Sequence, residues 1–385
     1  MHANVSDNAG LAEARWLRCD GAAAAVVPPV GFCCAAFRVR LDKPGAAFEN
    51  AWLRVLDEPP SGDALRQRPA FFGTPLLFPF PMAIPGGAFT YRGEQYALRP
   101  TREGRVVHGL VRDHPWTIER AWSDSHGAHI RASICTAGND DLLSYFPFPF
   151  RLAATYTLDR RALTLETEAT NLGDRPMPAG LGIHPYFPIP LLPAAQEGRP
   201  EACVTASDVT HLVAVGHDGR TLEMSPVPDH LDLRAGQVVT ALLAGQPERR
   251  PRGGLLVSYA RLPPPGAGPA RDAPPTTSQA ADRLRPAARA GDWAGVRWSL
   301  IDRDHGLTVE VETDEQFWVL VLFAPPGPPA VISPVLCTCL PNAFNLASHG
   351  HATGMVELEP RQTWRARARI RVLEGPPSSA GRGCD

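Results

Sequence analysis

The chain has 385 residues, with 44% hydrophobic and 20% charged positions, the make-up of a globular protein with enough apolar side chains for a sizeable core. With 38 Lys and Arg against 40 Asp and Glu, the formal net charge is −2, which offers no basic footprint for nucleic acid and no polybasic patch for a membrane surface. No apolar run reaches the ~18 residues of a transmembrane helix, and Met1–Asp20 lacks the basic start and long apolar stretch of a signal peptide, so the expected location is cytoplasmic.

Taken in chain order, the segments follow a period of two rather than 3.6. Residues 1–48 are expected to form an N-terminal segment that joins the main fold. Phe89–Leu98 contains Arg92-Gly93, a tight-turn pair, and predicts a hairpin. A second hairpin is predicted from Phe150–Leu158 and Ala162–Thr170 around Asp159-Arg160-Arg161. A third joins Val296–Ile301 to Leu307–Glu312 through Asp302-Arg303-Asp304-His305-Gly306. The strands Gly254–Leu262 and Val296–Ile301 are expected to pair across residues 263–292, whose Pro, Ala and Arg content lacks the apolar surface to offset ordering entropy and reads as a disordered insertion. Trp364, Ala366, Ala368, Ile370 and Val372 alternate with Arg365, Arg367, Arg369 and Arg371, which predicts a strand with one buried face and one solvated basic face. Residues 375–385 read as a flexible tail. No segment predicts a long capped amphipathic helix, and 41 prolines with 34 glycines punctuate the chain. The fold class expected is all-β, a large antiparallel sandwich.

Eight cysteines (19, 33, 34, 135, 203, 337, 339 and 384) match no small disulfide framework, and a chain of this length needs none. Cys337-Thr338-Cys339 followed by His349-Gly350-His351 lacks the usual C-x₂₋₄-C spacing of structural zinc, so no metal is expected.

Two histidines stand out because each interrupts an extended segment beside glycine and aromatic residues: His108 in Val107-His108-Gly109-Leu110, and His184 in Gly182-Ile183-His184-Pro185-Tyr186-Phe187. Facing one cleft, two imidazoles suit proton handling near neutral pH. His114, His126 and His129 read as loop residues.

These segments, with Phe71–Pro81 (FFGTPLLFPFP), Gly87–Gly93 (GAFTYRG), His108–Asp113 (HGLVRD) and Pro341–Leu346 (PNAFNL), resemble the aldose 1-epimerase (mutarotase) family in order and spacing from about residue 50 to 373. The resemblance implies the galactose mutarotase-like supersandwich over residues 49–374. It also implies interconversion of the α and β anomers of an aldose by acid–base ring opening, without a cofactor. By the same resemblance His184 is the acid, while His108 binds the sugar and assists. Tyr186 is a candidate aromatic wall for the sugar.

Three positions depart from the family pattern. The glutamate base aligns with Val335, or locally with Ser333, and the sugar-binding arginine aligns with Ala83 beside Met82. A sugar-contacting aspartate has no match in Val238–Gly245, leaving Asp229 and Asp232 as candidates, with Asp232 taken as substrate-binding. Glu94, Glu357 and Glu359 are candidates for a substitute carboxylate. Arg102, Arg105 and Arg112 near His108 leave room for a phosphosugar. The alternative function is non-catalytic carbohydrate binding on the same fold.

Overall fold

A computed structural model describes residues 11–41, 52–101, 104–192, 202–216, 218–244, 255–261, 293–303, 305–325 and 330–375. The predicted insertion, residues 263–292, and all of the predicted tail except Gly375 lie outside them.

Two large sheets carry the architecture, and every strand pair in them is antiparallel. One has nine strands in the order Gln237–Val238, Ala202–Ala206, Arg297–Asp302, Leu307–Thr313, Thr363–Glu374, Ala162–Asn171, Phe150–Leu158, Gly127–Cys135 and Thr117–Asp124. The other has eight, running from Leu222–Pro226 through His211–Val215, Leu255–Ala260, Val319–Ala324, Val331–Cys337 and Gly182–Ile183 to Leu76–Leu77, with Phe187–Pro188 also paired to Val331–Cys337. A four-stranded sheet of Arg15–Cys19, Ala22–Val27, Cys33–Arg40 and Trp52–Arg54 brings the N-terminal segment onto the body, and its Leu17, Phe37 and Val39 join the main core. Side chains of the two large sheets share that core: Phe187 of one stacks on Trp298 of the other, with centroids 5.3 Å apart. The described helices are short: four α-helices of six residues each and two 3-10 turns of three.

The hairpins fall where turn chemistry puts them. Phe150 pairs with Asn171 and Leu158 with Leu163 around the Asp159 turn, whose carboxylate accepts the backbone N–H groups of Arg161 and Ala162. Arg92 and Gly93, at φ of 50° and 83°, close the Ala88–Tyr91 and Glu94–Ala97 hairpin.

Three expectations are corrected. Strand Leu255–Ala260 does not pair with Arg297–Asp302; the first lies between His211–Val215 and Val319–Ala324, and the second lies in the other sheet between Ala202–Ala206 and Leu307–Thr313. Residues 263–292 therefore connect two sheets rather than two neighbours. The arginine stripe is not simply solvated, because carboxylates face it across the ladder. Arg371 Nε donates to Glu310 at 2.7 Å, Arg369 Nε to Glu312 at 3.0 Å, and Arg365 Nε to Glu168 at 2.8 Å. Glu310 and Glu312 are buried, so these are paired charges rather than a bare basic face. His129 is no loop residue: it sits buried in strand Gly127–Cys135, stacked on Trp122 at 4.7 Å and bonded to Asp124 and Thr157.

Candidate functional site

Three chain segments meet at one cavity. The short strand Gly182–Ile183 pairs with Leu76–Leu77 on one side and Val331–Cys337 on the other, and the chain then leaves regular pairing at His184. The His184 N–H donates to the Pro75 carbonyl at 3.1 Å and the Tyr186 N–H to the Gly73 carbonyl at 2.9 Å, so backbone bonds fix both residues. Pairing resumes at Phe187 opposite Ile332. The kink between turns the two ring side chains into the cavity.

The second histidine is carried by a tight loop. Ala83 bridges Val107, the His108 N–H donates to the Met82 carbonyl at 2.9 Å, and the Leu110 N–H donates to the Phe78 carbonyl at 2.7 Å. His108 and Gly109 are both left-handed, at φ of 66° and 69°. Glycine is required at 109 because a Cβ there would stand 2.1 Å from the Phe78 carbonyl oxygen. Arg112 closes the loop, donating to the Val107 and Gly109 carbonyls from a buried position.

The loop and the kink set the His108 and His184 rings 5.2 Å apart at 77°. His184 stacks almost parallel on Tyr186, 4.5 Å and 9°, with Phe323 edge-on at 5.9 Å. The cavity they line holds about 370 Å³, within the range of small-molecule sites, and includes Met82, Ala83 and Val335 in its wall. His108, His184 and Tyr186 all line this cavity. Both departing positions, Ala83 and Val335, face the cavity as well, so the apolar replacements lie in its wall.

The hydrogen bonds around His184 select its tautomer. The Ser333 hydroxyl has one proton, and it goes to the Pro185 carbonyl at 2.6 Å. Ser333 Oγ must then accept, at 2.7 Å, from Nδ1–H of His184. That leaves Nε2 with a lone pair. Tyr186 does not use it up: its hydroxyl, 3.2 Å from Nε2 on a nearly parallel ring, gives its one proton to the Ala70 carbonyl at 2.8 Å. Ser333 is thus an orienting group that the sequence reading weighed only as a failed base.

Burial pushes the His184 imidazole down to about 3. His108 is also held well below the usual histidine range, by burial first and then by the proximity of His184, Arg112 and Arg105. Its Nδ1 is buried with no hydrogen-bond partner. Both rings are neutral near pH 7.

No Asp or Glu among the described residues lines the cavity. Asp232 does not reach it, because its carboxylate is held by Arg234 of the same turn at 2.8 and 2.7 Å. Asp229 begins the short 3-10 turn Asp229–Leu231, its carbonyl accepting the Asp232 N–H, and is likewise outside the wall. Glu357 is engaged by Arg92 at 2.6 Å and by the Tyr91 hydroxyl, Glu94 by the Tyr96 hydroxyl, and Glu359 is exposed. Arg102 lies outside the described residues, whereas Arg105 and Arg112 line the cavity, joined by Arg68, which no sequence motif marked.

The cysteine–histidine motif does not converge on a metal site. Cys337 and Cys339 are buried, burial lifting the Cys339 thiol to about 12, while His349 and His351 bond to the Asn345 and Arg220 carbonyls. Among the described residues no group of three potential ligands gathers. Six cysteines are free thiols, but Cys203 is disulfide-bonded, which the cysteine spacing had not led us to expect.

Comparison with known proteins bears on the fold. The fold is that of the galactose mutarotase-like sandwiches: a galactose mutarotase-like protein from Clostridium acetobutylicum superposes with a TM-score of 0.72 at 16% identity, covering 94% of this chain and 95% of that one. Galactose 1-epimerase from Lactobacillus acidophilus gives 0.63 at 16% identity, covering 94% of each chain. At such identities the likeness concerns the fold.

In sequence, the aldose 1-epimerase family model matches residues 49–201, part of the stretch over which the motifs resemble that family. YihR of Escherichia coli is 31% identical over 122 residues, 29% of this chain, and plasmid LacX of Lactococcus lactis is 30% identical over 120 residues, 31% of this chain. The chain matches 35% of the length of YihR and 37% of that of LacX.

Proposed function

We propose that the cavity binds a monosaccharide and interconverts its anomers, with His184 moving the proton. The observation that carries this reading is the Ser333–His184 pair, which leaves Nε2 with a lone pair on a ring that lines a sugar-sized cavity beside His108. In the proposed cycle Nε2 takes the proton of the C1 hydroxyl, C1 becomes a carbonyl, and the C1–O5 bond breaks with its electron pair going to O5. O5 then recovers the proton from the same imidazolium, leaving an open-chain aldehyde and neutral His184. Rotation about C1–C2 and the reverse sequence close the ring on the other face. The ground-state tautomer makes His184 base first and acid second, rather than acid alone. His108, neutral and short of one hydrogen-bond partner, is the group to bond the ring oxygen or a neighbouring hydroxyl.

Polarimetry of freshly dissolved α-anomers tests the proposal: protein should shorten the relaxation relative to buffer at equal pH, and His184→Ala should return it to the buffer rate. Loss of a proton-transfer group costs about 10²–10⁴ in rate, so retained acceleration in that variant would remove His184 from the mechanism. The absence of a carboxylate from the described cavity wall favours a second reading, sugar binding without turnover. Saturable binding by calorimetry with no change in relaxation would establish that reading instead.

A further inference from the structure

Among the described residues, the charge lining the cavity is one-sided. Arg68, Arg105 and Arg112 contribute to its wall, and no Asp or Glu among the described residues does. Elsewhere this chain sets arginines against acids, as in Arg38 with Glu58, Arg92 with Glu357 and Arg131 with Glu119. Arg112 serves the loop, through the Val107 and Gly109 carbonyls. Arg68 and Arg105 are exposed, and no carboxylate of the described residues comes within ion-pair distance of either.

Each of the two reaches a different part of the ring array. Arg68 lies over Phe71 at 4.2 Å and is close enough to act on the Tyr186 hydroxyl, while Arg105 is close enough to act on His108. The nearest acid behind Tyr186 is Asp57, whose backbone N–H bonds to the Tyr186 carbonyl and whose side chain is outside the cavity wall. Two exposed cations therefore belong to the cavity wall, whose buried part includes His184 and Val335, with His108 and Met82 half-buried beside them. A neutral aldose would leave both guanidinium groups without an ionic partner. A sugar with an anionic exocyclic group satisfies them, since guanidinium binds phosphate and carboxylate oxygens through paired N–H donors.

We infer that the preferred ligand is an aldose carrying anionic oxygens on its exocyclic carbon, held at the mouth by Arg68 and Arg105 with its anomeric carbon directed toward His184. This rests on the sugar-binding reading above and adds the substrate class. A phosphate monoester and a uronate carboxylate share the required chemistry.

The test compares glucose, glucose 6-phosphate, glucuronate and inorganic phosphate on the full chain, by calorimetry and by polarimetry for the three sugars. The expectation is binding of at least one anionic sugar about tenfold or more tighter than glucose, weakening with salt because exposed charges are screened over about 8 Å at physiological ionic strength. Whichever anionic sugar wins identifies the group. Arg68→Ala with Arg105→Ala should abolish the preference, raising KM toward the glucose value with little change in kcat, and the lysine variants should restore part of it. Equal binding of neutral and anionic sugars overturns the substrate class and leaves the epimerase reading standing. Inorganic phosphate binding as tightly as the sugar phosphate, or a preference that survives the double alanine variant, also overturns it. Selective binding without faster mutarotation supports the ligand class and removes the epimerase reading. No binding of any sugar removes both.

Discussion

Ser333→Ala isolates the feature on which the proton chemistry depends. Ser333 is fully buried and serves two partners, accepting from His184 Nδ1–H at 2.7 Å and donating to the Pro185 carbonyl at 2.6 Å. Alanine can do neither. Turning the tautomer over does not rescue His184, because Nδ1 is then a buried acceptor without a donor. Each buried polar group left unpaired costs about 1–3 kcal/mol, so the variant should lose about 2–6 kcal/mol with two groups orphaned. The effect on chemistry is separate. Without Ser333 nothing holds the proton on Nδ1, the imidazole's own preference for Nε2–H takes over, and the lone pair facing the cavity is lost. Urea unfolding followed by the fluorescence of buried Trp298 and Trp318 measures the first effect, and ¹⁵N NMR of the imidazole measures the second. Ser333→Thr keeps the hydroxyl on a strand that tolerates branching and should retain the tautomer. A loss of less than ~0.5 kcal/mol, with the His184 proton still on Nδ1, would refute the network, since that is the scatter of ordinary neutral substitutions.

Three further outcomes follow from the same geometry. His184 is held at about 3 by burial, so the folded protein keeps it neutral while the unfolded chain protonates it below its usual 6.5. Its stabilising contribution is complete above pH 6.5 and is lost as pH falls toward 3, at about 1.4 kcal/mol per pH unit for one proton, and His184→Gln should remove that component from the pH dependence of urea midpoints. The activity profile should correspondingly show no acidic limb from His184 between pH 5 and 8; an NMR titration of His184 near 6.5 would contradict both. Gly109→Ala combines a left-handed φ of 69° with a Cβ 2.1 Å from the Phe78 carbonyl oxygen, and should destabilise by about 1–3 kcal/mol or more and displace His108, read as a lower melting temperature together with weaker sugar binding.

How much of this was legible in the sequence depends on whether the signal was local. Alternation in Trp364–Val372 and the Asp159 and Arg92-Gly93 turns carry their own structural meaning, so those strands and hairpins were readable from a few adjacent residues. Pairing between strands separated by a long connection is set by which core face fits which sheet. That is why Leu255–Ala260 and Arg297–Asp302 were expected to be neighbours and instead belong to different sheets. The arginine stripe shows the same limit: its period was visible, but its partners Glu312 and Glu310 lie 57 and 61 residues away from Arg369 and Arg371 and are identified only by register.

The site divides along the same line. Gly109 beside His108 and Gly182 before His184 mark backbone positions that a side chain would block, and that much a sequence can suggest. What His184 can do with a proton is decided by Ser333, 149 residues away, and Ser333 in turn by a carbonyl adjacent to His184. Serine in a strand carries no signature of that duty. The missing carboxylate could be read as loss of function so long as the base had to be acidic. A neutral imidazole with its Nδ1 proton held by an acceptor needs no carboxylate to present a lone pair, only a hydroxyl whose own proton is committed elsewhere. The cost of that arrangement is a weak base, set by the burial of His184, while an anion held by Arg68 and Arg105 would offset the Arg105 charge that now disfavours a charged His108. Measuring both imidazole titrations with and without the anionic sugar therefore connects the two proposals: both should shift upward on binding, His108 more than His184, because the Arg105 and Arg112 charges act on His108.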